Sequence, residues 1–547
     1  MSRRIFEDAL GDSVQEPLLT TCPADSSTDS DAEGEVVFER KSTSDVEKRT
    51  QMKLSYEEAV EESGFGLFHA FLLVVCGWAN ASDAVEILCV SFLLPTARCD
   101  LQLRSADMGL LTASIFLGMM FGGYIWGYLA DQRGRKKVLV ISLTVNGVFG
   151  ALASLAPRFW LFLLLRFISG VGVGGSIPVI FSYFSEFQPC SRRGAMISGL
   201  ATFWMAGNIL AAGLAWLVIP STSTRFLLGS LDFQSWRLFV VLCSIPSLTS
   251  AFIFGLAMPE SPRFLMEAGR EAEALEVFRK MFKLNQRGSS RSFPIYGLVI
   301  PSDCKKARER EEAAGASGSH RLTRLLKKGL DPIGQMFTKP LTTRSVVLLI
   351  IFFCISFGYY GLWMWFPELF KRTEDGGSPC ANRSRAASSP DNKKCYPVKT
   401  AVYMEGFVTA ASNLPGNIFT ILLMDFVGGK IFLSCSLLLS SLSVFFIWMV
   451  KSKTQSLVMS CVFSAVSVIS WNALDVVSTE LYPTHLRSSA LGFFTGVGRI
   501  GAIMGNVVFG QLVDSNCAVP VLLVSALLFT GGLTALRLPR TKQTELT

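Results

Sequence analysis

Charged residues are scarce in this chain. Asp, Glu, Lys and Arg make up 17% of its 547 residues, while half of the residues are hydrophobic. Soluble globular domains carry about 25% charged residues, and the mean hydropathy here is high, at +0.41. The composition therefore excludes an ordinary soluble enzyme and indicates a membrane protein.

Nucleotide-binding motifs are missing as well. The sequence contains no Gly-x4-Gly-Lys-Ser/Thr loop, so ATP is not the evident energy source. The glycine-rich stretch 170–175 lies inside a membrane-length run and lacks the strand and downstream acid of a dinucleotide-binding unit. We expect these glycines to allow close contact between helices. No cofactor and no metal site is predicted.

The net charge of +8 does not indicate a nucleic-acid partner. The cations are concentrated in short loops that border apolar runs, where the positive-inside rule places them in the cytosol. We therefore expect a lipid bilayer around the protein and no nucleic acid.

Apolar runs of about 20 residues, the length that crosses a bilayer, recur along the chain. Twelve membrane helices are predicted, near 66–95, 108–130, 137–157, 159–181, 195–219, 238–258, 345–369, 401–424, 431–450, 456–479, 488–513 and 519–537. The segments outside these runs are an acidic tail at 1–55, a central loop at 259–344 that contains a short helix over 267–283, and a tail at 538–547. All three are predicted to be cytosolic, and the first to be disordered, because it cannot bury enough surface to fold.

A charged loop after the second run is repeated in the second half of the chain. The loop 127–137 resembles the one between the second and third helices of the major facilitator superfamily, and a partial copy lies at 424–430. Glu186 follows Asp131 by 55 residues, and Glu480 follows Asp425 by the same interval. We therefore predict an all-α membrane protein with two pseudo-symmetric six-helix halves, 56–258 and 345–537, which is the major facilitator fold. The resemblance implies gating at the cytosolic face by Asp131, Arg135, Glu186, Arg192, Asp425, Glu480 and Arg487.

Two acids lie inside the first apolar run. Asp83 and Glu86 are three residues apart and share a helix face. They either hold the bundle together or form a substrate or proton site, and acids inside a membrane favour the second interpretation. Arg166 in the fourth run lies at a similar depth, so the three side chains are expected to meet.

Aromatic and amide side chains recur inside other runs. Trp204 and Asn208 share one face of the fifth run, Trp471 and Asp475 are one turn apart in the tenth, and two tyrosines lie in the seventh. Rings beside a carboxylate suit either a sugar or an organic cation, whereas the alternative is that the rings only pack. The predicted substrate-binding residues are Trp204, Asn208, Tyr359, Tyr360, Trp471 and Asp475. In the eighth run, Asn413 and Asn417 flank Pro415-Gly416, which predicts a helix break beside a cavity.

The loop 371–400 is predicted to lie outside the cytosol. It contains an N-glycosylation acceptor at Asn382, and Cys380 and Cys395 are predicted to form a disulfide there. Cys99 and Cys517 fall on the same side and compete as partners. The several basic residues of this loop oppose the positive-inside trend, but the other loops agree on the topology.

Six strings together resemble the synaptic vesicle glycoprotein 2 family, which belongs with the organic-ion and sugar transporters of the major facilitator superfamily. They are Asp83–Glu86, Ser169–Pro178, Phe181–Phe187, Pro259–Phe264, Tyr359–Gly361 and Ser470–Val476. The family carries a large folded luminal domain after the seventh helix, and about 30 residues replace it here. Gly428-Gly429-Lys430 also replaces the usual Gly-Arg of the second-half loop, which weakens the gating prediction there.

The resemblance implies a ligand pocket between the halves that uses Trp204, Tyr359, Tyr360, Trp471 and Asp475. Pro259–Arg263 resembles the sugar-porter signature and implies gating by Glu260 and Arg263. Proton-coupled sugar porters pair an acid of helix one with an arginine of helix four. This implies proton coupling through Asp83, Glu86 and Arg166.

Two functions are consistent with the sequence, and neither is an enzyme. The leading hypothesis is a proton-coupled secondary transporter, a symporter that moves a sugar or an organic cation by alternating access. It is expected in an intracellular vesicle membrane rather than the plasma membrane, with both termini cytosolic. The alternative is a vesicle protein with a transporter fold that regulates exocytosis or trafficking, binding sorting or trafficking proteins through its N-terminal tail.

Overall fold

Among the residues that the computed structural model describes, twelve helices are long and apolar enough to cross a membrane, which confirms the predicted all-α membrane fold. The structure describes residues 53–221, 226–228, 231–286, 293, 297–298, 333–376, 398–450, 452–482 and 484–539. A short acidic helix, α1 (Tyr56–Glu62), precedes the six long helices of the first half. These are α2 (Leu67–Asp100), α3 (Ser105–Arg133), α4 (Arg135–Ala153), α5 (Phe159–Ser185), α6 (Arg193–Val218) and α7 (Ser235–Ala257).

Two short helices follow the first half, where the sequence predicted one. They are α8 (Pro262–Glu267) and α9 (Glu271–Asn285). The helix predicted over 267–283 is confirmed as α9, which begins four residues later than predicted, at Glu271. The chain breaks at Gly269, whose φ of +73° lies in the left-handed region that glycine adopts without steric strain.

The second half contains two interrupted membrane helices. The seventh run ends six residues earlier than predicted, and a separate helix follows it. The elements are α10 (Thr342–Trp363), α11 (Phe366–Gly376), α12 (Thr400–Ala411), α13 (Asn413–Val427), α14 (Gly429–Met449), α15 (Lys453–Glu480), α16 (Thr484–Leu512) and α17 (Ala518–Ala535). Pro367 has no backbone N–H, so it fits the first turn of α11 but not the middle of a longer helix. A single residue, Ser412, interrupts the eighth run, whereas Pro415-Gly416, where the sequence predicted the break, lies inside α13.

Four short strands were not predicted. β1 (Lys53–Leu54) pairs in parallel with β4 (Gly297–Leu298), and β2 (Phe226–Leu228) pairs antiparallel with β3 (Leu231–Phe233). The last residues of the tail predicted to be disordered therefore have a defined partner. The sequence did not predict this pairing because Leu54 and Leu298 pair through backbone groups. Backbone groups leave no pattern in the sequence.

Glycines bring α3 and α5 into backbone contact, as the sequence predicted for the stretch 170–175. A Cβ placed on Gly122 would lie 2.1 Å from the Val171 carbonyl oxygen, and one on Gly170 would lie 2.5 Å from the Ile115 carbonyl oxygen. Such spacing leaves no room for a side chain on either helix. The glycines therefore pack helices, as in other membrane proteins.

The repeat of the two halves extends to the backbone of the charged loops. Gly134 precedes α4 with φ 98° and ψ 147°, and Gly428 precedes α14 with φ 86° and ψ 138°. A residue with a Cβ is strained in this region. Both halves therefore use the same glycine turn, although the flanking charges differ.

The chain forms two compact units. The smaller comprises Met1–Leu73, Phe184–Gly199 and Ser261–Glu309, and the larger comprises Val74–Tyr183, Leu200–Glu260 and Arg310–Thr547. Within the smaller unit, Asn285 Nδ2 donates to the carbonyl oxygens of Ser63 and Gly64 at 3.1 and 2.7 Å, and Asn285 Oδ1 accepts from the Phe68 backbone at 3.0 Å. The amide thus satisfies backbone groups of the bend between α1 and α2.

Candidate functional site

A buried polar network joins α2, α4 and α5. Glu86 Oε1 accepts hydrogen bonds from Arg166 Nη1 and from Ser169 Oγ, the latter at 2.9 Å. Arg166 Nη2 lies 3.1 Å from Cys89 Sγ. Glu86 is 1% exposed and Arg166 is fully buried, so each charge depends on the other for compensation.

Asp83 lies one turn before Glu86 and, in the described part of the chain, hydrogen-bonds only to neutral groups. Ser176 Oγ donates to its Oδ2 at 2.6 Å, and Asn146 Nδ2 donates to its Oδ1 at 3.3 Å. Ser169 Oγ also lies 2.9 Å from Asn146 Oδ1. Ser169 and Asn146 therefore connect the two acids.

The structure thus brings together Asp83, Glu86 and Arg166, as expected from their depths. Sequence reasoning missed the three neutral members, Asn146, Ser169 and Ser176. Single Ser or Asn residues inside an apolar run are common and carry little signal alone. The available signal was spacing, because Ser169 follows Arg166 by three residues and Ser176 follows Ser169 by seven, which places all three near one helix face.

A cluster of aromatic rings lies on α10 and α15. The ring centroid of Trp471 is 5.8 Å from that of Tyr360 and 6.3 Å from that of Tyr359. Tyr359 in turn stacks on Trp363 at 5.3 Å. Phe116 of α3 lies 4.9 Å from Tyr360, so the cluster borders both halves of the fold. These spacings are typical of favourable aromatic pairs.

Two polar groups beside this cluster have no protein partner among the residues that the structure describes. The buried indole Nε1 of Trp471 lacks a hydrogen-bond acceptor. Asp475, one turn along α15, has an exposed side chain and no neighbouring charge. A hydrogen-bond donor and a carboxylate are thus available together at the edge of an aromatic surface.

Amide side chains link α15 to the first half. Asn472 Nδ2 donates to Asn417 Oδ1 at 2.8 Å, and Asn417 Nδ2 lies 3.5 Å from Thr202 Oγ1 on α6. Trp204 is half-buried two residues further along, and Asn208 is buried with its amide nitrogen unpaired in the described chain. No ring contact within the described ranges joins Trp204 to the aromatic cluster. The structure therefore brings Tyr359, Tyr360 and Trp471 together, with Asp475 beside them, but not Trp204 or Asn208.

Several of the predicted gating residues contact helix ends in the larger unit. Arg135 Nε donates to Ser182 Oγ at 3.3 Å. Glu260 Oε1 accepts from the Lys136 backbone N–H at 2.9 Å, which places this carboxylate at the N-terminus of α4, where a negative charge is favoured.

Other gating residues lie in the smaller unit. Ser261 Oγ lies 2.5 Å from Glu186 Oε2, the Arg192 guanidinium lies 4.6 Å from the Phe65 ring centroid, and Arg263 pairs with Glu267 at 3.2 Å. The side chains of the remaining members lie outside what the structure describes; they are those of Asp131, Asp425, Glu480 and Arg487.

The predicted glycosylation and disulfide sites also lie outside the described residues. They are Asn382, Cys380 and Cys395. The two competing cysteines, Cys99 and Cys517, are disulfide-bonded.

An ion-pair network that the sequence did not suggest joins the halves at α11. Glu368 Oε1 accepts from Arg98 at 2.9 Å and from Arg372 at 3.1 Å. Arg372 also bonds Asp514 at 2.7 Å and Ser105 at 3.3 Å. Burial alone would raise the pKa of Asp514, but hydrogen bonds from Ser105 and Arg372 and the Arg372 charge lower it below its usual value. The Glu368-Arg372 spacing of four was visible in the sequence, but the partners from the first half were not.

Two further contacts join the same ends of the halves. Lys371 Nζ donates to the Pro95 carbonyl oxygen at 3.0 Å, and Thr96 hydrogen-bonds to Tyr403. The end of the molecule at α11 is therefore closed by contacts between the halves.

Comparisons with known proteins agree on one family. The profile of the family "Sugar (and other) transporter" matches residues 41–293. Synaptic vesicle glycoprotein 2C of Rattus norvegicus is 31% identical, over 90% of this chain and 81% of its own length. Synaptic vesicle glycoprotein 2B of Homo sapiens is 31% identical, over 91% and 87%, and synaptic vesicle glycoprotein 2A of Rattus norvegicus is 32% identical, over 90% and 80%.

Solved structures agree on the fold. A partially occluded, inward-open conformation of the xylose transporter from E. coli has a TM-score of 0.60 at 17% identity and covers 87% of this chain and 99% of its own. A D-xylose-proton symporter has a TM-score of 0.61 at 16% identity, with 87% and 100% covered. The matched proteins are transporters and vesicle glycoproteins, which confirms that the chain is not an enzyme.

Proposed function

Because the chain belongs to the synaptic vesicle glycoprotein 2 family of the major facilitator superfamily, we propose that it is a secondary transporter that moves a small polar organic solute by alternating access. The observation that carries this proposal is the aromatic cluster on α10 and α15, beside which the Trp471 indole N–H and the Asp475 carboxylate have no partner in the described chain. Ionisable and polar groups inside a membrane face a partner or a water-filled cavity, and they mark substrate pathways. A solute in this cavity would bond to both groups.

The chemistry of the cluster suits two solute classes. A sugar would place its apolar face against the rings of Tyr359, Tyr360 and Trp471 and bond its hydroxyls to Asp475 and the indole N–H. An organic cation would lie over the ring faces and be balanced by the Asp475 charge. Trp204 and Asn208 would complete the site from the first half when the halves close on the solute.

Alternating access requires contacts between the halves that can break. The pairs Arg98–Glu368, Lys371–Pro95 and Thr96–Tyr403 all join α2 to the second half at one end of the fold. We infer that this end is the luminal gate and that it opens when these contacts separate. The loop residues identified from the sequence would gate the cytosolic end.

A proton gradient is the proposed drive, which makes the protein a symporter. Asp83, Glu86 and Arg166 form a network that is buried in this conformation, and a carboxylate there can bind and release a proton when a change of conformation opens it to water on either side. The structural alternative, an ion pair that only holds the helices, predicts loss of folded protein on mutation.

We propose that the protein lies in the membrane of an intracellular vesicle. Both termini would be cytosolic, and the loop 371–400 would lie in the lumen and carry a glycan at Asn382. The relatives' names as synaptic vesicle glycoproteins support this location. The N-terminal tail would then be available to cytosolic sorting or trafficking proteins.

Uptake by proteoliposomes that contain the purified full chain tests the proposal. The probes are radiolabelled D-xylose for the sugar class and tetraethylammonium for the cation class, each with and without an imposed pH gradient. Protein-dependent accumulation that follows the gradient is expected for one probe, and Trp471→Ala should reduce it.

Monodisperse protein that neither binds nor transports either probe would contradict the proposal. The relatives' vesicle names would then favour the second candidate, a non-transporting vesicle protein that regulates exocytosis through its partners.

A further inference from the structure

We propose that Arg499 binds a carboxylate of the transported solute. This inference rests on the proposed transporter function and deepens it, because it adds a chemical requirement to both solute classes. If the solute is a sugar, it is a sugar acid, and if it is an organic cation, it is a zwitterion.

Arg499 lies near the middle of a membrane helix. The membrane-length part of α16 is Ala490–Leu512. An arginine at this depth is unfavourable in lipid, so such residues face the interior of the bundle or a water-filled cavity, and they mark substrate or ion pathways. Arg499 is half-buried, and its guanidinium carbon lies 5.8 Å from the ring centroid of Tyr360. The guanidinium therefore faces the aromatic cluster.

The charge of Arg499 is not compensated within the described chain. No acidic side chain pairs with it there, and no hydrogen bond joins it to another described group. Arg166, by contrast, pairs with Glu86. Asp475 is not the counter-ion of Arg499 in this conformation, because no neighbouring charge acts on its carboxylate. Arg499 is therefore a cation inside the membrane that can accept an anionic group from a solute.

Tyr360 connects Arg499 to the proposed solute site. Its ring centroid lies 5.8 Å from that of Trp471 and 4.9 Å from that of Phe116 on α3. Asn506, two turns after Arg499 on the same face of α16, places its Nδ2 3.4 Å from the Tyr360 carbonyl oxygen. Helix α16 thus contacts both the ring and the backbone of Tyr360, which holds the guanidinium against a ring that the solute would also contact.

Two opposite charges therefore border the aromatic cluster without pairing with each other. Arg499 lies at Tyr360, and Asp475 lies one turn from Trp471 on α15. The guanidinium presents a planar fork that donates two parallel hydrogen bonds to a carboxylate. A solute between the two charges would bond its carboxylate to Arg499 and its hydroxyls or ammonium group to Asp475, with its apolar surface against the rings.

Two matched pairs of probes test the inference. D-Glucose and D-glucuronate differ only in that a carboxylate replaces a CH2OH group, and choline and betaine differ in the same way. In calorimetry of the purified full chain in lipid nanodiscs, the carboxylate member of one pair should bind at least about tenfold more tightly than the alcohol, as expected for hydrogen bonds between charged groups. A preference within the sugar pair identifies a sugar acid, and one within the choline pair identifies a zwitterion.

Variants of Arg499 show whether this residue causes the preference. Arg499→Gln should abolish the preference for the carboxylate member and change binding of the alcohol little, because the amide can form hydrogen bonds but carries no charge. Arg499→Lys keeps the charge without the fork and should retain part of the preference. If Arg499 only packs on Tyr360, Arg499→Gln would lower the melting temperature and weaken both members of a pair equally, which would overturn the inference.

The failures of the inference and of the proposed function differ. Wild-type protein that binds the alcohol of a pair as tightly as the carboxylate refutes the inference and leaves the transporter proposal standing. A carboxylate preference that persists in Arg499→Gln also refutes it, since another group then binds the carboxylate. Monodisperse protein that binds and transports none of these probes, nor D-xylose or tetraethylammonium, contradicts both.

Discussion

Replacing Gly122 with alanine should force α3 and α5 apart. A Cβ at residue 122 would lie 2.1 Å from the Val171 carbonyl oxygen and 2.8 Å from its carbonyl carbon, while real Cβ atoms essentially never approach other heavy atoms closer than 3.0 Å. The obstructing atoms belong to the backbone of α5, so no side-chain rotation can relieve the clash. The helices would have to separate locally by at least the difference between 3.0 and 2.1 Å.

The neighbouring glycine is a matched control. A Cβ on Gly123 would meet only the Gly174 carbonyl oxygen, at 3.7 Å, which is ordinary van der Waals contact. Both substitutions gain about 1 kcal/mol of intrinsic helix preference, so that gain cancels between them. The remaining difference in the free energy of unfolding is the cost of overpacking, about 1–3 kcal/mol.

Thermal stability in detergent, followed by size-exclusion chromatography after heating, checks the difference. Gly122→Ala should lose its monodisperse peak at a lower temperature than Gly123→Ala, and Gly123→Ala should match or exceed the wild type. If Gly122→Ala melts at or above the temperature of Gly123→Ala, the close approach of α3 to α5 is refuted.

Other measurements address the ligand site, the luminal loop and the gate. Asp475→Asn should weaken tetraethylammonium binding at least about fivefold, the equivalent of about 1 kcal/mol for two unit charges ~4 Å apart in water and more in a less polar site. D-xylose binding should weaken far less, because the amide keeps its hydrogen-bonding capacity but loses the charge. Trp471→Ala should weaken both in calorimetry, and near-normal binding in both variants would remove this site from consideration. Asn382→Gln should abolish a glycosidase-sensitive mobility shift, and labelling of residue 382 from the cytosol would overturn the topology. Peptide mapping without reductant should recover Cys380 linked to Cys395. This disulfide closes a loop of about 15 residues and would stabilise the folded state by about 3 kcal/mol in the chain-entropy model. Because the folded pKa of Asp514 is lowered, its contribution to stability should be complete above the unfolded pKa of about 3.9 and disappear as the pH falls through the folded value. Arg372→Gln should reduce this pH dependence of the melting temperature and leave the part that is due to Ser105, and an unchanged acid limb would argue against the pairing.

The membrane fold was predictable because it depends on averages over many residues. Runs of apolar residues locate the helices α2 to α7, α10 and α12 to α17 within about six positions, since each long helix must hide its backbone polar groups from lipid. The repeat was visible through the spacing of Asp131 and Glu186 and of Asp425 and Glu480. The glycine turns at Gly134 and Gly428 confirm it in the backbone.

The candidate site was predictable only where a residue is unusual for its surroundings. Asp83, Glu86 and Arg166 were found because charges are rare inside membranes. Asn146 and Ser176 were not, since a neutral polar residue in an apolar run gives no indication of its partner. The Arg98–Glu368 pair was missed for another reason, because its members are 270 residues apart and only the folded halves bring them together.

One helix, α2, connects the proposed proton site to the contacts between the halves. Asp83 and Glu86 lie near its middle, within the polar network of the first half. Two turns or so further along the same helix, Ser91 donates to the Met364 carbonyl oxygen at 2.8 Å, and Arg98 near its end pairs with Glu368. Every one of these later partners belongs to the second half.

A movement of α2 would therefore change both the polar network around Asp83 and Glu86 and the contacts of Ser91 and Arg98 with the second half. In the proposed coupling, protonation of Asp83 would alter its hydrogen bond with Ser176 and so alter how α2 is held against α5. Because a packed helix moves as a rigid element, a small rotation of α2 at Asp83 would be transmitted to Ser91 and Arg98, whose hydrogen bonds depend on direction as well as distance. If the proposed proton coupling holds, gate contacts on the same helix as the proton site would respond to protonation without a separate relay. This shared helix would then couple proton binding to the opening of the gate.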